Sequence, residues 1–595
     1  AYSLPDNENR RHAGAFMGPM VMTGRGWIAA GLAEPTLWVN GEQYRMVYNV
    51  QTTRYLPGKL IQEYNDENLN FTTELCYLTS RSVAIRSIVK NMSQKPVKVS
   101  FDWNGGVYEP TSVVSSIDKG LSFIRPKDST NTVIRFLTAD KIQAVGSDSL
   151  HVTEKSEMTL EPGKTYQSEM TQTLTLRGED TAKELAVIAT LNIDNCFELN
   201  EQQWNAQIAS LLSGNSKYLK DNKYRKVLVK AMMTLNSNYR TPAGDILHGG
   251  SNPSYNGFIN GIWSWDSWKI ASGNVHFNEE IAKSEMITLF DYQADNGMVP
   301  DFISYNKKYN NWRDAKPPVA AWGAMNVYKA TGDKKFLETM FDKLYKFHQW
   351  WYAERDHNHN GICEYGSTDG TLIAACWESG MDNGVRFDDA VMQKNSEKAW
   401  SMNQENICLN SFLYVDKTIL AEMATLLNKP ELAAQLNAEA KVIKEFVQTK
   451  MWDKETGFFY DTRIDTGEHI KVMGAECWLP LWAGIATPEQ AKQVMQKMMD
   501  PQKFNSTLPL GTLDISHPRL RPVRGYWRGP VWVDQVYFGI TGLRNYGFDR
   551  EADILTEKFI NNAQGLTTDG PIHENYNPLT GEALNSPNFG WSSAC

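Results

Sequence analysis

Trp377-Glu378-Ser379-Gly380-Met381-Asp382-Asn383 gathers two carboxylates and an indole around one glycine. Carboxylates accept hydrogen bonds from hydroxyls and exchange protons, aromatic faces cover the apolar faces of sugar rings, and glycine lets the backbone bend sharply. Those are the needs of a sugar-cleaving centre. Hydrolysis of a glycosidic bond takes one acid to protonate the departing oxygen and a second carboxylate across the ring. Asp266, Asp301, Glu378, Asp382, Asp534 and Glu574 all sit in aromatic- or Gly-rich stretches, and residue types alone leave open which two act. Arg528 and Arg313 could hold sugar hydroxyls or tune a carboxylate, with a structural ion pair as the equally good alternative.

A second constellation is Asp356-His357-Asn358-His359-Asn360-Gly361-Ile362-Cys363-Glu364. Oxygen-bearing side chains fall at Asp356, Asn358, Asn360 and Glu364, with Gly361 at the sharp turn and the Ile362 carbonyl available, which are the offsets of an EF-hand calcium loop. The closing position holds Ser367 instead of Glu, so a complete EF-hand is excluded and a remote carboxylate must finish the shell. The expected ion is a structural Ca2+. The alternative is a turn whose Asn and Asp serve the backbone.

These residues need elements to position them. Up to about residue 196, period-2 alternation over 60–64, 69–75, 82–89 and 97–103, separated by turn residues, predicts a β-sandwich. Apolar spacing of three and four over 197–212 and 217–239 predicts a helical linker spanning 197–240. From 241 to 595, amphipathic helices are predicted at 279–293, 317–331, 334–353, 405–428, 430–451, 487–499, 530–546 and 549–564. Helices in series joined by functional loops point to a helical barrel. The Trp-rich stretches 263–268, 311–313, 377 and 526–532 read as loops, and Trp312 and Trp532 are candidates for covering sugar.

Composition narrows the partner. The 595 residues carry a net charge of −9, which offers no basic face for nucleic acid. No apolar run is long enough to span a membrane. Seven cysteines without a CxxC spacing show neither a zinc motif nor a disulfide scaffold. A small oligosaccharide fits better as substrate. A start at Ala1 suits a mature periplasmic or secreted protein, expected as a monomer.

Motifs in order along the chain resemble glycoside hydrolase family 63, its bacterial α-glucosidase branch above all: Trp265-Asp266-Ser267-Trp268, Val299-Pro300-Asp301, Lys316-Pro317, Trp377-Glu378-Ser379-Gly380, Trp527-Arg528-Gly529, Trp532-Val533-Asp534-Gln535 and Glu574-Asn575-Tyr576-Asn577-Pro578. The resemblance implies an N-terminal β-supersandwich followed by an (α/α)6 barrel. It implies Asp382 as general acid and Glu574 as general base of an inverting exo-acting α-glycosidase. The expected activity is that of an α-glucosidase on di- or oligosaccharides. α,α-Trehalase and mannosylglycerate hydrolase are the enzymatic alternatives, and a catalytically silent carbohydrate-binding protein the non-enzymatic one. The resemblance further implies that Trp265, Asp266, Trp377, Glu378, Arg528 and Trp591 line the sugar pocket, and that Glu405 completes the calcium shell. The chain departs from the family at Cys408, where relatives carry Asp.

Overall fold

The structure, a computed structural model, describes residues 2–5, 12–21, 26–110 and 112–595. The chain divides into two compact units, Ala1–Ala209 and Ser210–Cys595. The division falls inside the segment expected as a linker. Helix Ile193–Leu211 lies almost wholly in the first unit and helix Asn222–Asn238 in the second.

Among the described residues the first unit holds two large antiparallel sheets and a two-stranded one, Met20–Val21 with Gly26–Trp27. The larger has eight strands, running in space from Val113–Ile117 through Gly120–Ile124, Asn131–Phe136, Thr165–Thr175, Ser82–Asn91, Leu69–Tyr77 and Lys59–Asn65 to Thr53–Leu56. The smaller has five, ordered Lys141–Val145, Ser149–Leu160, Val97–Gly106, Glu34–Val39 and Glu42–Gln43. The four strands read from alternation all form. In Val97–Gly106 the side chains of Val97, Val99, Phe101 and Trp103 go inward while those between face outward, as a strand's period of two requires. Residues from both sheets share one apolar core: Phe71 meets Phe101 edge to face at 6.1 Å, and Phe101 meets Trp103 at 4.8 Å.

The second unit is helical. Ser264–Asn274 packs on Ala320–Thr331, which packs on Ile407–Leu426, then Leu479–Trp482, Val533–Asn545 and Gly590–Ala594, and the last returns to Ser264–Asn274, closing a cycle of six. Glu279–Thr288, Lys334–Glu354, Pro430–Thr449 and Asp549–Asn562 each pack beside the cycle helix that precedes them, and Asn222–Asn238 packs beside Gly590–Ala594. The partner helices are amphipathic: in Lys334–Glu354 the buried residues recur at Phe336, Leu337, Met340, Phe341, Leu344, Phe347, His348 and Trp351, with Trp350 buried beside them. A hairpin joins it to its predecessor, with Gly332 in the left-handed region at φ 68° and the Asp333 side chain accepting from the Phe336 amide at 3.0 Å. Among the described residues no helix is long and apolar enough to cross a membrane.

The loop reading of the Trp-rich stretches is corrected here: Trp377 lies in the helix Leu372–Glu378, and Val531–Trp532 form a short strand. The stretch 263–268 is not a loop: Trp263 ends a short strand and Ser264–Asn274 is a helix whose first eight residues are all buried. A helix covered on every side shows no apolar stripe, so periodicity cannot reveal it.

Candidate active site

The strand Gly261–Trp263 pairs with Phe302–Ser304, and the Ser264 amide donates to the Asp301 carbonyl at 2.9 Å, which fixes where the helix bearing Trp265, Asp266 and Lys269 begins. Asp266 is buried and its carboxyl is pushed up to about 7, chiefly by that burial, against the pull of Lys269 and Lys316. Lys269 lies between two indoles, 3.3 Å from the ring centre of Trp265 and 3.4 Å from that of Trp591, and pairs with Asp534 at 2.9 Å. Trp265 and Trp591 meet edge to face at 5.1 Å.

The helix Leu372–Glu378 delivers the acidic loop. Gly380 follows it at φ 69°, and a Cβ there would stand 2.3 Å from Trp265 Cζ2. Only glycine permits both the turn and the contact. Asp382 comes next, half-buried, and its carboxyl is raised to about 6 by burial, moderated by Lys316. The Lys316 ammonium lies 3.2 Å from Asp301 and 3.6 Å from Asp314 and donates to the Trp377 carbonyl. Burial works against its charge, and the surrounding Asp301, Asp314 and Asp382 carboxylates hold it protonated.

Glu574 sits on the strand His573–Tyr576, between Val531–Trp532 and Ala583–Pro587. The Tyr526 hydroxyl donates to Glu574 Oε1 at 3.0 Å and the Ser586 amide to Oε2 at 3.2 Å. Its carboxyl is raised to about 7, first by burial and further by the charge of Asp382. The Tyr526 phenol is shifted strongly upward by burial and by Glu574, Asp382 and Asp266, so each of the three carboxyls lies within electrostatic reach of it. Taken singly, the values would leave Glu574 the more readily protonated. The Tyr526 and Ser586 donors favour ionised Glu574 and partly offset the burial that raises it, whereas among the described residues no side chain hydrogen-bonds Asp382. Because the two charges oppose each other, the pair holds a single proton over the window between its two ionisations.

Asn383 ties the two halves together. Its Nδ2 donates to the Gly525 carbonyl (3.1 Å), its Oδ1 accepts from the Trp527 amide (3.0 Å), and its carbonyl accepts from Arg528 Nε (2.9 Å). Arg528 is half-buried and paired with Asp388. Trp377 is half-buried under Arg313, 5.1 Å from its ring, and Trp312 is 37% exposed.

Two of the expected sugar contacts are corrected. Glu378 is wholly buried and both its oxygens are taken: Arg355 Nε and Nη2 at 2.8 and 2.9 Å, the Ala315 amide at 3.2 Å and the Gly366 amide at 2.6 Å. It pins the helix that carries the acidic loop and has no oxygen left for a ligand. Trp532 is also fully buried, stacked on Trp527 at 4.0 Å and 7°, and backs Tyr526 rather than facing a sugar. Lys316 and Tyr526 are the side chains beside these carboxyls that reading by residue type leaves without a role. Both stand inside conspicuous stretches, but only their contacts reveal what they do.

In the 356–364 loop, Asp356 accepts from the Asn360 and Gly361 amides at 3.0 and 2.9 Å, and Asn360 Nδ2 donates to Glu405 Oε1 at 2.8 Å. Glu405 also accepts from the Thr462 hydroxyl at 2.7 Å. Glu364 is buried, takes the His357 amide on Oε2 at 2.9 Å, and leaves Oε1 without a partner. Its carboxyl is held well above the usual range by burial and by Asp356 and Glu405.

A helical scaffold that gathers protonatable carboxyls and indoles from distant parts of the chain is the frame of a glycoside hydrolase. Residues 260–592 match the mannosylglycerate hydrolase MGH1-like glycoside hydrolase domain. The mannosylglycerate hydrolase of Rubrobacter radiotolerans is 28% identical over 408 residues, covering 56% of this chain and 89% of that protein. That of one Thermus thermophilus strain is 26% identical over 397 residues, covering 56% and 92%. Among solved structures, the GH63 mannosylglycerate hydrolase of a second Thermus thermophilus strain, in complex with glucose, is similar at a TM-score of 0.51 and 25% identity, over 62% of this chain and 98% of that one. The chain belongs to the MGH1-like glycoside hydrolase family, within glycoside hydrolase family 63.

Proposed function

We propose that the chain is an inverting, exo-acting α-glycosidase that releases a terminal α-linked hexose from a small glycoside, with α-glucose as the sugar read. The observation that carries this is the pairing of Asp382 and Glu574: two carboxyls from remote elements, each raised by burial, with the charge of one opposing ionisation of the other. Asp382 gives its proton to the glycosidic oxygen as the bond to C1 breaks. Glu574, oriented by Tyr526 and Ser586, takes a proton from water, whose oxygen bonds to C1 on the opposite face. Room for that water calls for carboxyls roughly 6.5–9.5 Å apart. The closed cycle of six helices with its outer partners supports an (α/α)6 barrel as the frame.

Asp382→Asn and Glu574→Gln are each expected to lower kcat by more than about 100-fold, the usual worth of a general acid or base, with circular dichroism unchanged. Proton NMR of a fresh α-glucoside digest is expected to show the β-anomer first. Release of the α-anomer, or full activity in either variant, sinks the mechanism.

A second reading of specificity, a mannosylglycerate-type hydrolase, is favoured by the activity for which the relatives are named. A panel of α-glucobioses, trehalose and mannosylglycerate separates the two.

We also propose that residues 356–364 and Glu405 hold Ca2+. Support comes from the orphaned Glu364 Oε1 and from the charge of Asp356, which opposes ionisation of both Glu364 and Glu405. Among the described residues no three acidic, His or Cys side chains form a metal cage by themselves. Asn358, Asn360 and the Ile362 carbonyl would therefore supply the remaining hard oxygens, a donor set that suits calcium. The ion would brace the loop behind Arg355 and Glu378. Elemental analysis finding calcium, with a melting temperature lowered by chelator, is expected; no calcium and no shift would remove the site.

A further inference from the structure

The segment His517–Arg528 carries four arginines, Arg519, Arg521, Arg524 and Arg528, in a chain of net charge −9. It lies directly against the acidic loop through the three hydrogen bonds to Asn383, the residue after Asp382. Asp388 takes two of the arginines, Arg519 and Arg528. The Arg521 guanidinium donates to the Leu520 carbonyl at 2.8 Å, and among the described residues neither Arg521 nor Arg524 forms an ion pair. An open cavity of ≈ 460 Å³ is lined by Asp388, Asp389, Arg519, Arg521 and Arg528.

The position has a meaning if Asp382 is the acid. A general acid stands beside the leaving-group oxygen, and Arg528, which lines this cavity, bonds the carbonyl of Asn383, the residue after Asp382. A neutral, hydroxyl-rich group gains little from an unpaired guanidinium. A carboxylate or sulfate gains paired, charge-assisted hydrogen bonds from its planar fork. The volume lies within the span of ligand pockets, about 300–1,000 Å³, and suits a ring rather than a two- or three-carbon acid.

We propose that the Arg519–Arg521–Arg528 cavity is a leaving-group subsite for an anionic sugar, a uronic acid or a sulfated hexose, so that the preferred substrate is a neutral α-linked hexose capping an acidic saccharide. This rests on the hydrolase reading above.

The test is a matched series of α-glucosides whose leaving group is glucose, glucuronate, glucose 6-sulfate or glycerate, assayed with wild type and Arg521→Gln. The anionic rings are expected to exceed glucose in kcat/KM by about tenfold, the worth of one charge-assisted hydrogen bond. The difference is expected mostly in KM, and to shrink as salt screens it. R521Q is expected to lower the anionic-to-neutral ratio by the same factor. The glucuronate and sulfate arms show which anion is read. Equal rates for neutral and anionic rings, a ratio unmoved by R521Q, or preference confined to glycerate would overturn the subsite. Calorimetric binding of free glucuronate, weakened in R521Q, keeps the two readings apart. Binding without hydrolysis of any glycoside supports the subsite and sinks the hydrolase, whereas hydrolysis with no glucuronate binding sinks the subsite alone.

Discussion

Tyr526 is the side chain through which the proton balance of the site is easiest to move. Its hydroxyl stabilises ionised Glu574. Removing a donor to a carboxylate raises the carboxyl's pKa. With one proton required between Asp382 and Glu574, the pH profile of kcat/KM should be a bell centred between about 6 and about 7. Tyr526→Phe should move the limb that Glu574 sets to higher pH, because Glu574 then ionises later. A profile with both limbs unmoved would mean that Glu574 is not the base. Reading the chain by residue type places Asp382 and Glu574 among six candidate carboxylates, and only the family resemblance singles out the two. It misassigns Glu378, because a carboxylate bound by Arg355 and two amides is indistinguishable in sequence from one facing solvent. Glu378→Gln, which leaves the buried Arg355 without its counter-charge, should cost about 3–5 kcal/mol in urea unfolding.

The helix Ser264–Asn274 shows what an element adds. It threads an indole, a carboxyl and an ammonium through a space closed by Trp591 and Asp534. Lys269→Met leaves Asp534 buried and uncompensated and should cost about 3–5 kcal/mol, while adding Asp534→Asn should return part of it. Additive losses in that cycle would deny the coupling. At the other side of the contact, Gly380→Ala forces a left-handed alanine, costing about 1–2 kcal/mol, and drives Trp265 from its place. The expected result is a lower melting temperature and reduced turnover. The partner helices are legible in the sequence because one face of each is apolar. Ser264–Asn274 is not, since burial on all sides erases the stripe, whereas Val97–Gly106 is legible because only one of its faces is covered.

Across the whole molecule, carboxyls pushed up by burial outnumber what catalysis uses. Asp266, Glu285, Glu476 and Glu574 rise to about 7 and Asp382 to about 6. A folded-state pKa above the unfolded one means that the native chain holds protons the unfolded chain has released. Stability should therefore fall as pH rises from about 4 to about 7. Asp553, held down by Arg544 and Lys217, works in the opposite sense, its contribution being lost only in acid. At constant calcium, the melting temperature should be higher at pH 5 than at pH 8, and calorimetry giving the reverse order would show that these carboxyls ionise freely on folding. The Asn383 junction adds a consequence for building variants. One amide side chain buttons the turn of Asp382, the proposed proton donor, to the segment whose Tyr526 bonds Glu574. A graft that borrows residues 377–383 from a cousin enzyme without 525–528, or the reverse, imports half of a fastener, and functional chimeras should be recovered only when both pieces travel together.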